Sequence, residues 1–61
     1  MTLVEFRKEQ KLTQAEMAKT IDISFSHYSK IETGTRNPSF NFLVQLKLKF
    51  PEADVNDIFF S

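Results

Sequence analysis

Sixty-one residues, 41% apolar and 26% charged, make one domain at most, near the lower size limit for a chain folding on an apolar core alone. No cysteine and a single histidine exclude disulfides, thiolate metal sites and an imidazole metal cage, so that dimerisation is a natural aid to so small a core. Eight basic residues balance eight acidic ones, which argues against general attraction to a polyanion, yet residues 23–37 hold Lys30 and Arg36 against Glu32 alone, while 51–61 hold Glu52, Asp54 and Asp57 with no base.

In chain order, Leu3, Val4 and Phe6 precede the polar run 7–11, closed by Leu12, which predicts a first helix with a buried N-terminal half and a solvated end. Thr13 followed by Glu16 is a capping box and predicts a second helix over 14 to about 21, with Met17, Ala18 and Ile21 on one buried stripe. Asp22 and Ile23 interrupt the pattern, and Ser24 is a good N-cap for a third helix over 25–33. That helix ends before Gly34, the single glycine, suited to a left-handed backbone. After the polar loop Thr35, Arg36, Asn37 and Pro38, Ser39 caps a fourth helix over 40–50, with Leu43, Leu46 and Phe50 as its core stripe and Pro51 as its stop. Residues 55–60, with Asp54 as a possible cap, have room for about one and a half helical turns. No strand, repeat or low-complexity stretch is evident, so the expectation is an all-α, compact four- to five-helix domain over residues 1–61.

Two short helices joined by a tight turn, the second with a polar outer face, form the pattern in which one helix braces across a DNA backbone while the next enters the groove. At about 100° per residue, Phe25, Ser26, Ser29, Lys30 and Thr33 of the third helix share one arc, and His27, Tyr28, Ile31 and Glu32 the other. Tyr28 and Ile31 mark the second arc as the core face, with the Tyr28 hydroxyl able to stay at the surface.

The run Arg7-Lys8-Glu9-Gln10-Lys11-Leu12-Thr13-Gln14-Ala15-Glu16-Met17-Ala18, then Ile23-Ser24 through Lys30-Ile31-Glu32, then Gly34-Thr35-Arg36-Asn37-Pro38-Ser39, resembles the lambda-repressor-like or Cro type of helix-turn-helix, the XRE family. The resemblance spans nearly the whole chain. It implies a double-stranded DNA partner, bound in the major groove, and a role as transcriptional regulator. Gln14 is then expected to hydrogen-bond a phosphate and touch the start of the recognition helix; a solvated first-turn glutamine is the alternative. Ser24, Phe25, Ser26 and Lys30 match groove-facing positions: Ser26 can bond a base edge, Lys30 can donate to guanine O6 or N7, and Phe25 can touch a thymine methyl. Phe25 departs from the glutamine-rich pattern of phage repressors, and its alternative is packing into a protein partner. His27 and Ser29 flank this surface within reach of phosphates, although a histidine there can equally be merely solvated. Thr35, Arg36 and Asn37 match a loop whose backbone amides and side chains bind phosphates, contacts that position without specifying sequence. Arg7 and Glu32 match a pair that forms an internal salt bridge.

One short helix reads few base pairs, so a homodimer on a palindromic operator is expected, with half-sites about 34 Å apart. Phe59 and Phe60, adjacent in a short terminal segment, are the expected contact surface, unless Phe60 is simply a partly exposed chain end. The length leaves no room for a separate oligomerisation or cleavage domain, which favours a Cro-like or controller type. The rival is a protein-interaction module of the same fold, suggested by zero net charge and seven phenylalanines. An enzyme is disfavoured, since no nucleophile, base and orienting group, phosphate loop or metal cluster is recognisable, and no cofactor is expected. Without a signal-like stretch or a run of about 20 apolar residues, a cytoplasmic protein of a bacterial or phage-infected cell is expected.

Overall fold

Each helix begins where a short polar side chain can replace the missing backbone partner of the first turn. The computed structural model describes residues 1–60, and among them five helices and no strand: α1 (Leu3–Glu9), α2 (Gln14–Thr20), α3 (Phe25–Glu32), α4 (Phe40–Lys49) and a π-helical segment, α5 (Asn56–Phe60). Thr2 and Thr13 head full capping boxes with Glu5 and Glu16. The Ser24 and Ser39 hydroxyls accept from the amides of His27 and Phe42 at 3.2 and 3.1 Å. Asp54 Oδ1 accepts from the Asp57 amide at 3.2 Å, as expected of a cap there. The C-terminal bounds of α2, α3 and α4 fall one residue short of the sequence reading, because Ile21, Thr33 and Phe50 serve as C-caps.

The first three helices end in one way. Beyond α1, α2 and α3 stand Lys11 (φ 60°), Asp22 (φ 59°) and Gly34 (φ 85°), all left-handed. Their amides donate to the carbonyls of Lys8, Lys19 and Ile31, and the next amides, of Leu12, Ile23 and Thr35, reach back to Arg7, Ala18 and Lys30. This is the Schellman motif three times over. It turns the chain sharply while satisfying the terminal carbonyls, which lets helices of seven and eight residues sit side by side.

The buried side chains form one cluster drawn from every helix up to α4: Leu3 and Phe6, then Met17, Ala18 and Ile21, then Tyr28 and Ile31, then Phe42 and Leu46, with Ile23 and Ala53 from the connections. Phe42 lies at its centre. Its ring stacks on Tyr28 with centroids 6.0 Å apart and meets Phe59 edge-on at 6.0 Å, while Phe6 and Phe50 form a second edge-to-face pair at 5.4 Å. Ile58 packs against this cluster half-buried. The Cα radius of gyration is 10.2 Å, against about 10.5 Å for a globular chain of this length, so collapse is complete.

Two sequence expectations about the core are corrected. Leu43 is half-exposed and lines an outward groove, and the core stripe of α4 is Phe42, Leu46 and Phe50, spaced four apart. Apolar residues alternate along this helix, so periodicity left two faces equally apolar and could not choose between them. Tyr28 is fully buried, hydroxyl included, because the Glu32 carboxylate lies 2.7 Å from it.

Candidate nucleic-acid interface

Helices α2 and α3 are joined by four residues, 21–24, in which left-handed Asp22 reverses the chain and Ser24 starts the new helix. Their relative setting is locked by one side chain. The Glu32 carboxylate, only 3% exposed, accepts from Arg7 Nε at 2.8 Å and Nη2 at 3.2 Å, from Gln14 Nε2 at 2.6 Å and from the Tyr28 hydroxyl at 2.7 Å. Arg7 also donates to the Leu12 carbonyl at 2.9 Å. The network therefore ties α1, the first residue of α2 and the last residue of α3 together.

Burial alone would raise the Glu32 carboxyl, but the hydrogen bonds from Arg7, Gln14 and Tyr28 outweigh it and hold its pKa below the ordinary carboxylate value. The bond to Glu32 raises the Arg7 guanidinium in turn. Desolvation, and then the bond to Glu32, push the Tyr28 phenol well above its usual range. The ion pair removes the single carboxylate of segment 23–37 from the surface, where Lys30 and Arg36 stay exposed.

The outer arc of α3 presents Phe25, 54% exposed, with Ser26, Lys30 and Thr33 exposed and Ser29 half-buried. Ser24 stands at its head; its oxygen is used as the cap, and its hydroxyl proton remains available to donate. After the helix, the Thr33 and Thr35 hydroxyls lie 3.1 Å apart, and the side chains of Thr35, Arg36 and Asn37 are exposed. The amides of Thr35 and Arg36 both donate to the Lys30 carbonyl, at 2.8 and 3.1 Å, and that of Gly34 to Ile31. Those three amides are thus occupied within the fold, and the loop has its side chains to offer to a phosphate.

Two site expectations change. Gln14 touches the end of α3, at Glu32, and not its start, because the carboxylate is the stronger acceptor within reach; one N–H and the carbonyl of its amide are left over. His27 is turned inward, its ring 6.4 Å from that of Phe42 and its Nε2 buried without a hydrogen-bond partner, so it leaves the phosphate-facing flank. Of the C-terminal pair, Phe59 packs on Phe42, and Phe60, its ring 6.3 Å from that of Phe59, is 63% exposed. The triple convergence on Glu32 went unread in the sequence beyond its Arg7 partner: Gln14 reaches it only once α2 and α3 are docked, and the Tyr28 hydroxyl, four residues away on the same helix, was expected at the surface.

A family model described as helix-turn-helix matches residues 3–47, from the start of α1 into α4. No curated protein and no solved structure matches the chain.

Proposed function

The chain belongs to the helix-turn-helix family of the XRE type, lambda-repressor- and Cro-like DNA-binding regulators, and from that premise we propose a Cro-like or repressor-type protein that binds a palindromic operator as a homodimer, with α3 in the major groove. The observation that carries this reading is the outer arc of α3: exposed Phe25, Ser26 and Lys30 on the second helix of the motif, with the neighbouring acid, Glu32, turned inward and neutralised by Arg7. Lys30 donates to a guanine edge, Ser24 and Ser26 to base acceptors, and Phe25 covers a thymine methyl. Ser29, Thr35, Arg36, Asn37 and the free part of the Gln14 amide hold phosphates and set the register. Such a regulator works where the DNA is, in the cytoplasm of a bacterial or phage-infected cell.

The test is selection from random duplexes at two salt concentrations, for the wild type and Lys30→Ala. A two-fold symmetric motif is expected, with enrichment falling as salt rises because bound counterions are released. Lys30→Ala should relax one base position in each half-site and weaken binding about tenfold or more, the scale of one lost base contact. Absence of enrichment at low salt would replace this reading with a protein-interaction module of the same fold.

A further inference from the structure

Helix α4 carries two apolar stripes, and the core uses one. Phe40, Phe42, Val44, Leu46, Leu48 and Phe50 are spaced two apart. Wound on a helix at about 100° per residue, that spacing sends successive members to opposite sides. Phe42 and Leu46 are fully buried, whereas Phe40, Val44 and Leu48 are 83%, 36% and 67% exposed. Beside this outer stripe runs a shallow groove of about 360 Å³ lined by Leu43, Val44, Lys47 and Leu48. The Lys47 ammonium is held by the carbonyls of Pro51 at 2.7 Å and Ala53 at 2.9 Å, so that it is its methylene stem that lies along the wall.

We propose that a second copy of this chain covers the stripe, α4 against α4, antiparallel about a two-fold axis at Val44. The stripe is complementary to itself in that arrangement. Phe40 of each copy meets Leu48 of the other at the two ends, and the smaller Val44 pairs with itself at the centre, where the helices approach most closely. Such a contact is isologous and closes on two copies.

With about 150 to 200 Å² of surface per large apolar residue, the exposed parts of Phe40, Val44 and Leu48 come to about 350 Å². Of a total surface of 3984 Å² that is close to the tenth which specific interfaces use on small proteins. Counting Leu43 and the Lys47 stem, two copies bury about 800 to 1,000 Å², below the roughly 1,200 Å² of stable specific interfaces and in the range of a weak, concentration-dependent dimer. The C-terminal pair offers less, because Phe59 is occupied with Phe42 and Phe60, its ring 6.3 Å from that of Phe59, adds one exposed side chain. The inference rests on the reading of the protein as a paired regulator and names the surface that pairs it.

The chain has no cysteine, so Val44→Cys introduces a single reporter at the axis, where the two Cα atoms fall within the roughly 7 Å that a disulfide spans. Mild oxidation should give a disulfide-linked dimer for Val44→Cys and much less for Phe60→Cys; the reverse pattern would overturn the proposal in favour of the C-terminus. In sedimentation over a range of concentrations, the wild type should pass from monomer to dimer, while Leu48→Glu, altered at an exposed position, should stay monomeric with an unchanged melting temperature. A wild type monomeric at millimolar concentration, or a Leu48→Glu variant that still dimerises, would also overturn it. On DNA, Leu48→Glu should bind a single half-site like the wild type and lose about tenfold or more on paired half-sites. If half-sites are bound but no dimer forms, the α4 contact fails and the DNA reading survives. If a Leu48-sensitive dimer forms and no duplex is bound, the contact stands and the DNA reading fails.

Discussion

Three other side chains, those of Arg7, Gln14 and Tyr28, depend on the Glu32 carboxylate. Glu32→Gln keeps the shape and removes the charge, leaving the Arg7 guanidinium, 14% exposed, with the Leu12 carbonyl as its remaining acceptor. Breaking a buried pair from one side costs about 3 to 5 kcal/mol, and the surviving Leu12 bond sets the expectation near the lower end. In a domain of this size a loss of about 3 kcal/mol lowers the melting temperature by more than about 10 °C, readable by circular dichroism. An unchanged melting curve alongside altered DNA affinity would make Glu32 a DNA contact instead. At this scale the sequence was legible where a residue's neighbours lie in its own helix, as with the exposed arc of Phe25, Ser26 and Lys30. It was less legible where partners come from other helices: His27 lay on the inward arc, but the Phe42 ring it meets belongs to α4, and the Glu32 carboxylate that accepts from the Tyr28 hydroxyl is itself held by Arg7 and Gln14.

Among the elements, the three left-handed helix ends differ in what they cost. Lys11 and Asp22 adopt a conformation that disfavours a side-chain-bearing residue by roughly 1 to 2 kcal/mol, whereas Gly34 does so freely. Lys11→Gly is therefore expected to stabilise the protein by about 0.5 to 1 kcal/mol, the relieved strain less the greater freedom of glycine in the unfolded chain. Gly34→Ala should destabilise it by about 1 kcal/mol through backbone strain alone, since no atom lies within 4 Å of the added methyl. Urea denaturation measures both, and a Lys11→Gly protein less stable than wild type would mean that the left-handed turn is not kept in solution. The Thr13 box and Gly34 could be read from the sequence because their residue types carry the local signal. Lys11 and Asp22 could not, since they turn the chain there so that Leu12 and Ile23 can tuck back on the core.

For the molecule as a whole, the shifted groups define a pH window. Glu32 lies below its ordinary value when folded, so its contribution is present above the unfolded carboxylate pKa of about 4.3 and is lost as pH falls through the folded value. Glu5 has the same sign through its hydrogen bonds with the Thr2 backbone and side chain. Tyr28 lies above its ordinary value, so its contribution is complete below about pH 10 and declines as pH rises beyond it. Melting temperature should be level through neutral pH and fall on both sides. Tyr28→Phe should flatten the alkaline limb, and Glu32→Gln should shallow the acid one. An acid limb of unchanged slope in Glu32→Gln would assign acid sensitivity to other carboxylates.

By itself the sequence determined the family, the all-helical class, the order of the helices and the starts of α2 to α5 to within a residue, because caps, stop residues and helical periodicity are local and act before any packing. Only the tertiary structure decided which face of α4 is core, that Phe59 packs on Phe42, and that Gln14 and Tyr28 join Arg7 at Glu32. Those outcomes turn on which surfaces lie opposite one another. An apolar stripe or a hydrogen-bond donor carries no mark of its partner until docking of the helices supplies one.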